Sequence, residues 1–282
     1  MKRRTRPLLW LFPLFAPVLV FLFVRVFGLR TAAEPENPPP APDARPVAAS
    51  IRPADKTMEP PGPKAAIIID DIGYNLKAVE TALRIGLPLT LAILPDADLA
   101  GEATRMAEAG GLEIMLHLPF ESEEEKNGAK IFKGTISAGM GPAEIRAAVV
   151  RALDRVPGAA GVNNHAGSSA TEKASLLKPV FEVLKERGLY FIDSRTTTGT
   201  VARMEAIRAG IPSASRHVFI DAEPGEGRVE ARLRELFRLA RANGRAVGIC
   251  HPKRETLSAL ARHLILAETY GVRLVFASEI VD

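Results

Sequence analysis

The sequence predicts an α/β protein whose parallel sheet is closed, or nearly closed, into a barrel. Three observations point that way. From residue 65 onward, short apolar runs alternate with longer stretches of helical spacing, seven or eight times in about 218 residues. Repeated strand–helix units imply a parallel sheet. The first run, Ile67-Ile68-Ile69, is continuously apolar, as a strand buried on both faces should be. No Gly-x-Gly-x-x-Gly follows it, which counts against the competing doubly wound open sheet.

The elements follow in order. Lys2, Arg3, Arg4 and Arg6 precede an uncharged run of 17 residues, Leu8 to Val24, and Arg25 and Arg30 come after it. Such a run matches a short membrane-spanning helix and exceeds the usual core of a signal peptide. Pro13 and Pro17 do not exclude a membrane helix. The leading basic residues should stay in the cytoplasm. Residues 1–30 are therefore expected to be a single-pass signal-anchor in the inner membrane, with the C-terminal domain in the periplasm. The small residues Thr31-Ala32-Ala33 leave open a cleaved, secreted or periplasmic form. Residues 31–64 are expected to be a semi-rigid linker, since ten of the chain's 22 prolines fall there. Residues 65–282 make up the remaining, working domain.

The basic balance belongs to the N-terminus. Residues 1–30 hold six basic and no acidic residues, leaving 31 basic against 33 acidic in the rest. That remainder has no basic stripe and the chain is only 6% aromatic, so nucleic acid is not an expected partner. With Cys250 the single cysteine, no intramolecular disulfide can form. Cys250 ends an apolar run and reads as a core residue rather than a nucleophile.

Strands are predicted at 66–70, 89–94, 113–118, 161–164, 190–193, 218–221, 246–250 and 273–276. Ser169 and Glu172 fit a capping box for the helix between the fourth and fifth. Pro179 should lie near the start of that helix or kink it. Gly188, Gly210, Gly244 and Gly271 fall where helices should stop. Residues 130–140 are less regular and suggest an inserted loop or hairpin over the strand ends.

In α/β folds, function sits at the carboxyl ends of strands. Those ends carry Asp70 and Asp71, then His117 with Pro119 and Glu121, then Asn163, Asn164 and His165. Asp193, Ser194 and Arg195 follow, then Asp221, then His251. Adjacent Asp70 and Asp71 leave a strand in different directions, so one can hold a metal while the other handles a proton. An Asp with two His is a common three-ligand set for zinc or a related divalent metal. His217 should lie on the opposite rim, and His263 sits on or near a helical core stripe. Arg195 reads equally well as a salt-bridge partner of Asp193, and one of Asn163 and Asn164 as turn chemistry.

Five stretches carry a resemblance to the divergent polysaccharide deacetylase family. They are Ile69-Asp70-Asp71-Ile72-Gly73, His117-Leu118-Pro119-Phe120-Glu121, Asn163-Asn164-His165-Ala166-Gly167-Ser168, Phe191-Ile192-Asp193-Ser194-Arg195-Thr196 and Gly248-Ile249-Cys250-His251-Pro252. The family usually has methionine where Phe120 and Ala166 stand here. The resemblance implies a distorted (β/α) barrel of about seven strands acting on a cell-envelope glycan. It implies a divalent metal, zinc foremost, on Asp71, His117 and His165, with Asp70 as general base and His251 protonating the leaving amine. Arg195 would steady the oxyanion or Asp70, while Asn164, Ser194 and Glu121 are placed for substrate. The reaction implied is removal of N- or O-acetyl groups. The alternatives are an inactive glycan-binding or scaffold protein and a metal hydrolase of another amide or ester.

Overall fold

The structure, a computed structural model, describes residues 62–282. The expected anchor, and all of the expected linker before Gly62, lie outside the described residues. Among the described residues no helix is long and apolar enough to cross a membrane.

In chain order the elements are β1 (Lys64–Ile72), α1 (Lys77–Ile85), β2 (Thr90–Ile93), α2 (Ala100–Ala109), β3 (Glu113–Phe120), α3 (Glu123–Lys126), α4 (Pro142–Arg155) and β4 (Gly161–Ala166). There follow α5 (Ala174–Arg187), β5 (Tyr190–Asp193), α6 (Ala202–Ala209), β6 (Ser213–Ser215), β7 (Val218–Phe219), α7 (Glu226–Asn243), β8 (Arg245–Cys250), α8 (Arg254–His263), α9 (Leu266–Thr269) and β9 (Arg273–Val275). All strand pairs are parallel, in the order β6-β5-β4-β3-β2-β1-β8-β7. β9 pairs with the first three residues of β1, on the edge that β2 joins only from Ile68 onward.

The result is a half-barrel with more strands than the about seven the resemblance implies, and one more, β6, than the eight read from the residues. β6 was not anticipated, because Ser213-Ala214-Ser215 has no apolar run to mark it. The two edge strands, β6 and β7, are separated by only Arg216 and His217. Arg216 N–H donates to Asp193 on one edge and His217 N–H to Val247 on the other. One extended stretch thus serves both edges, and the expected barrel stays unpaired along that seam.

Alternation along the strands creates two cores. Ile67, Ile69, Leu116, Leu118 and Val162 pack with the helices, while Ile68, Met115, Ile192, Val247 and Ile249 fill the concave interior. A strand's side chains alternate faces, so continuing the inner set toward the carboxyl ends reaches Asp70, His117, Asn163, His165, Ser194 and His251. Cys250 falls in the outer set and is a buried core residue, as expected.

Two local expectations need correction. Ser169 and Glu172 do not cap α5. Ser169 precedes and Glu172 ends a 3-10 turn, Ala170–Glu172, with no side-chain cap, and α5 starts from Lys173. The capping box forms instead at Ser122 and Glu125, on α3. Pro179 lies inside α5, and Gly188, Gly210 and Gly244 close α5, α6 and α7 in the left-handed conformation.

Candidate metal centre

Asp71 breaks the alternation that places the others. As a strand residue it would face the helices, but its φ is +57°, and the β1–β2 register shifts between Ile69 and Ile72. The left-handed turn swings its carboxylate over the rim beside His117 and His165. Only three non-glycine described residues have positive φ, namely Asp71, Ala166 and Arg195, and all lie at or just past the carboxyl ends of strands at this rim. Such conformations persist where surrounding contacts over-determine them and cluster at functional sites. The expectation that the two aspartates diverge is thus corrected. The backbone turn returns Asp71 to the side where Asp70 points.

Asp71 Oδ1, His117 Nε2 and His165 Nδ1 form a small triangle. Its edges are 3.2 Å from His117 to Asp71, 3.0 Å from His165 to Asp71 and 3.1 Å between the histidines. A tetrahedral zinc with bonds of about 2.0–2.1 Å would separate its ligand atoms by about 3.3 Å. Asp71 Oδ1 is buried and has no hydrogen bond of acceptable geometry. Three acceptors converging this closely need a cation or a proton between them. The donor set fits a divalent metal.

Asn163 sets the state of His117. Its Oδ1 lies 2.8 Å from His117 Nδ1, while its Nδ2 donates to Asp70 Oδ1 at 2.7 Å. The amide oxygen therefore accepts from Nδ1–H, leaving the Nε2 lone pair aimed at the triangle. Asp70 Oδ2 is 3.7 Å from His117 Nε2. Burial raises the Asp70 pKa above the ordinary carboxylate range, against the lowering influence of His117. Burial works against charge on Asp71 too, but His117 and His165 hold its pKa well below that range. Burial disfavours charge on His117, yet Asp70 and Asp71 raise its pKa.

His251 approaches from β8, its Nε2 3.9 Å from Asp71 Oδ2. Its Nδ1 lies 3.1 Å from Asp221 Oδ1, and its backbone N–H donates to Asp221 Oδ2. Thr256 and Lys253 complete the surroundings of Asp221. Burial pulls the His251 pKa down, but Asp221 outweighs it and the value is raised. The sequence marks Asp221 only as a strand-end acid, and Asn163 only as one of two candidates for turn chemistry. Their signal was the inward parity each shares with a histidine, Asn163 with His165 and Asp221 with the neighbouring His251.

The remaining expected residues separate. Ser194 and Arg195 line the cleft, of about 410 Å³, together with Asp70, His117, His165 and His251. The alternative Arg195–Asp193 salt bridge does not form, because Asp193 accepts from the backbone N–H of Arg195 and the hydroxyl of Thr200. Asn164 also borders the cleft, but both of its amide atoms are committed. Its Oδ1 accepts from Ser194 N–H and its Nδ2 donates to Ala166 O, tying the β4 and β5 turns together. Asn164 is the member of the pair doing turn chemistry. Glu121 is buried behind the rim and accepts from Ala138 N–H, so it braces the 130–140 segment instead of meeting substrate. That segment is irregular, as expected, with one bridge from Phe120 to Ile136. Glu125 of the capping box holds Phe132 N–H, and the Phe132 ring stands edge-on to His165, 4.9 Å between centroids. A more apolar pocket of about 470 Å³ lies beyond, lined by Tyr74, Leu94, Pro119 and Phe132, and contains none of these reactive groups. His217 and Arg245 border another pocket, at the amino-terminal rim, and His263 pairs with Glu226 on the surface of α7.

A parallel half-barrel with one Asp and two His converging at its carboxyl rim defines a class of α/β protein with a candidate metal centre. The profile of the divergent polysaccharide deacetylases matches residues 67–281, and the chain belongs to that family. An uncharacterized protein of Haemophilus influenzae is 34% identical over 197 residues, 70% of this chain and 69% of its own. The uncharacterized protein YibQ of Escherichia coli is 31% identical over 219 residues, 78% of this chain and 67% of its own. The crystal structure of an uncharacterized protein from Agrobacterium tumefaciens C58 superposes with a TM-score of 0.73 at 25% identity, over 78% of this chain and 89% of that one. A CE4 family pseudoenzyme from Bacillus anthracis shares the fold with a TM-score of 0.51 at 13% identity, over 79% of this chain and 67% of that one.

Proposed function

We propose that this protein is a metal-dependent hydrolase that removes acetyl groups from a cell-envelope polysaccharide. One observation carries the reading. The Asp71–His117–His165 triangle lies within 4 Å of both a second carboxylate, Asp70, and an imidazole held by its own acid, His251. Membership of the divergent polysaccharide deacetylases supplies the substrate class.

Asp71, His117 and His165 would hold the metal, zinc foremost. When bound there, a divalent metal polarises an acyl carbonyl and brings the pKa of water from about 16 towards 7. Asp70 accepts the proton of the attacking water, its carboxylate steadied by Asn163. His251, whose charged form Asp221 favours, donates to the leaving amine or alkoxide oxygen. In the cell, Lys2, Arg3, Arg4 and Arg6 keep the amino end inside, and the domain works in the periplasm on a membrane anchor.

The division between Asp70 and Asp71 tests the reading. Asp70→Asn should retain zinc and lose about two to four orders of magnitude in turnover. Asp71→Asn should lose both, because an amide is a poor replacement for an anionic ligand. Equal metal loss in the two variants would contradict the assignment.

A further inference from the structure

The cleft carries positive charge that the proposed reaction does not use. Arg195 is exposed and lines the cleft, and no carboxylate lies within ion-pair distance of its guanidinium among the described residues. Asp193 is spent on the backbone N–H of Arg195 and on Thr200. Arg216 lines the same wall without a carboxylate partner. Its Nε donates to Ser194 O at 2.6 Å and its Nη2 to Arg195 O at 2.8 Å, with the guanidinium 5.0 Å above the Phe219 ring.

These bonds hold Arg195 in its left-handed conformation, φ +50°. Such a conformation costs free energy, and here three hydrogen bonds keep the Arg195 backbone in place at the cleft wall. A second observation is independent of the charges. Ser194 lines the cleft at 5% exposure, and its Oγ is buried with no partner. A buried hydroxyl without a partner marks a group that a ligand completes.

We infer that Arg195, Ser194 and Arg216 form an anion subsite that takes a carboxylate on the acetylated sugar. The inference rests on the glycan reading above and narrows its substrate to an acidic acetylated saccharide. The planar fork of Arg195 matches the two oxygens of a carboxylate, and the Ser194 hydroxyl supplies one more donor. Arg216 has spent two of its donor groups on backbone carbonyls and contributes mainly charge. One free fork and one hydroxyl suit a monoanion with two oxygens better than a phosphate with three. A neutral sugar leaves the guanidinium charges without an anionic partner, so the subsite selects against it.

Calorimetry on the full-length, zinc-loaded chain tests this with N-acetylmuramic acid, its methyl ester and N-acetylglucosamine 6-phosphate. The ester keeps the shape and removes the charge. The acid should bind about tenfold or more tightly than the ester. Arg195→Gln should bring the acid down to the affinity of the ester and leave the ester unchanged, while Arg195→Lys keeps part of the preference. Equal binding of acid and ester, equal weakening of both by Arg195→Gln, or tightest binding of the phosphate would overturn the subsite. Acetate release read in parallel separates the two claims. Equal binding with acetate released removes the subsite alone, whereas a preference for the acid without acetate release keeps the subsite and removes the hydrolase.

Discussion

His251, the proposed acid, is paired with Asp221, and that pairing has a pH signature. Burial lowers the pKa of His251 and Asp221 raises it, with the raising influence prevailing. A proton donor must be charged to act, so turnover should persist above the ordinary imidazole range near 6.5 and then fall as His251 deprotonates. Asp221→Asn removes the largest raising influence, leaving those of Asp70 and Asp71. The descending limb of kcat against pH should therefore move to lower pH, and a limb that stays in place would show that His251 is not the acid. The residue scale is also where the sequence was hardest to read. The His117–Asn163–Asp70 relay joins residues on three strands, and only the strand parity connects them. The direction of Asp71 was not legible, because a left-handed aspartate is uncommon and nothing in its side chain announces one.

At the scale of elements, the site depends on how β1 ends. Gly73 follows the Asp71 turn with φ +125°, and a Cβ there would lie 2.7 Å from Ala97 Cβ and 3.4 Å from the Ala100 backbone. Gly73→Ala should therefore cost about 1–3 kcal/mol in denaturant unfolding. Gly139→Ala, with nothing within 4 Å of the added carbon, should be near neutral. Similar values for both would mean that the turn is not constrained as described. The long apolar runs made β1, β3 and β8 readable, since burial on both faces leaves few other residue choices. β6 escaped notice because it is three residues long and bears serines, held by its pairing with β5. The Ser169–Glu172 pattern misled because a 3-10 turn occupies the place where α5 was expected to start.

At the scale of the whole molecule, the parallel fold was legible because repeated strand–helix units permit few topologies. The open seam was not, since it depends on one short stretch, Ser213–Phe219, serving both edges. The candidate metal ligands come from β1, β3 and β4; strand parity pointed His117 and His165 to one rim, whereas Asp71 was marked only by the family resemblance. Topology in the cell is open to direct test. A reporter fused after Asp282 should be active only outside the cytoplasm, and activity inside would remove the proposed export. The central claim is that a metal at Asp71, His117 and His165 drives deacetylation. Its most direct test is acetate release from acetylated envelope glycan by the full-length chain, measured before chelation, after it, and after zinc is restored. The account predicts release, its loss on chelation, and its return with zinc. Release that survives complete metal removal, or none from N- and O-acetylated glycans with zinc present, would contradict it.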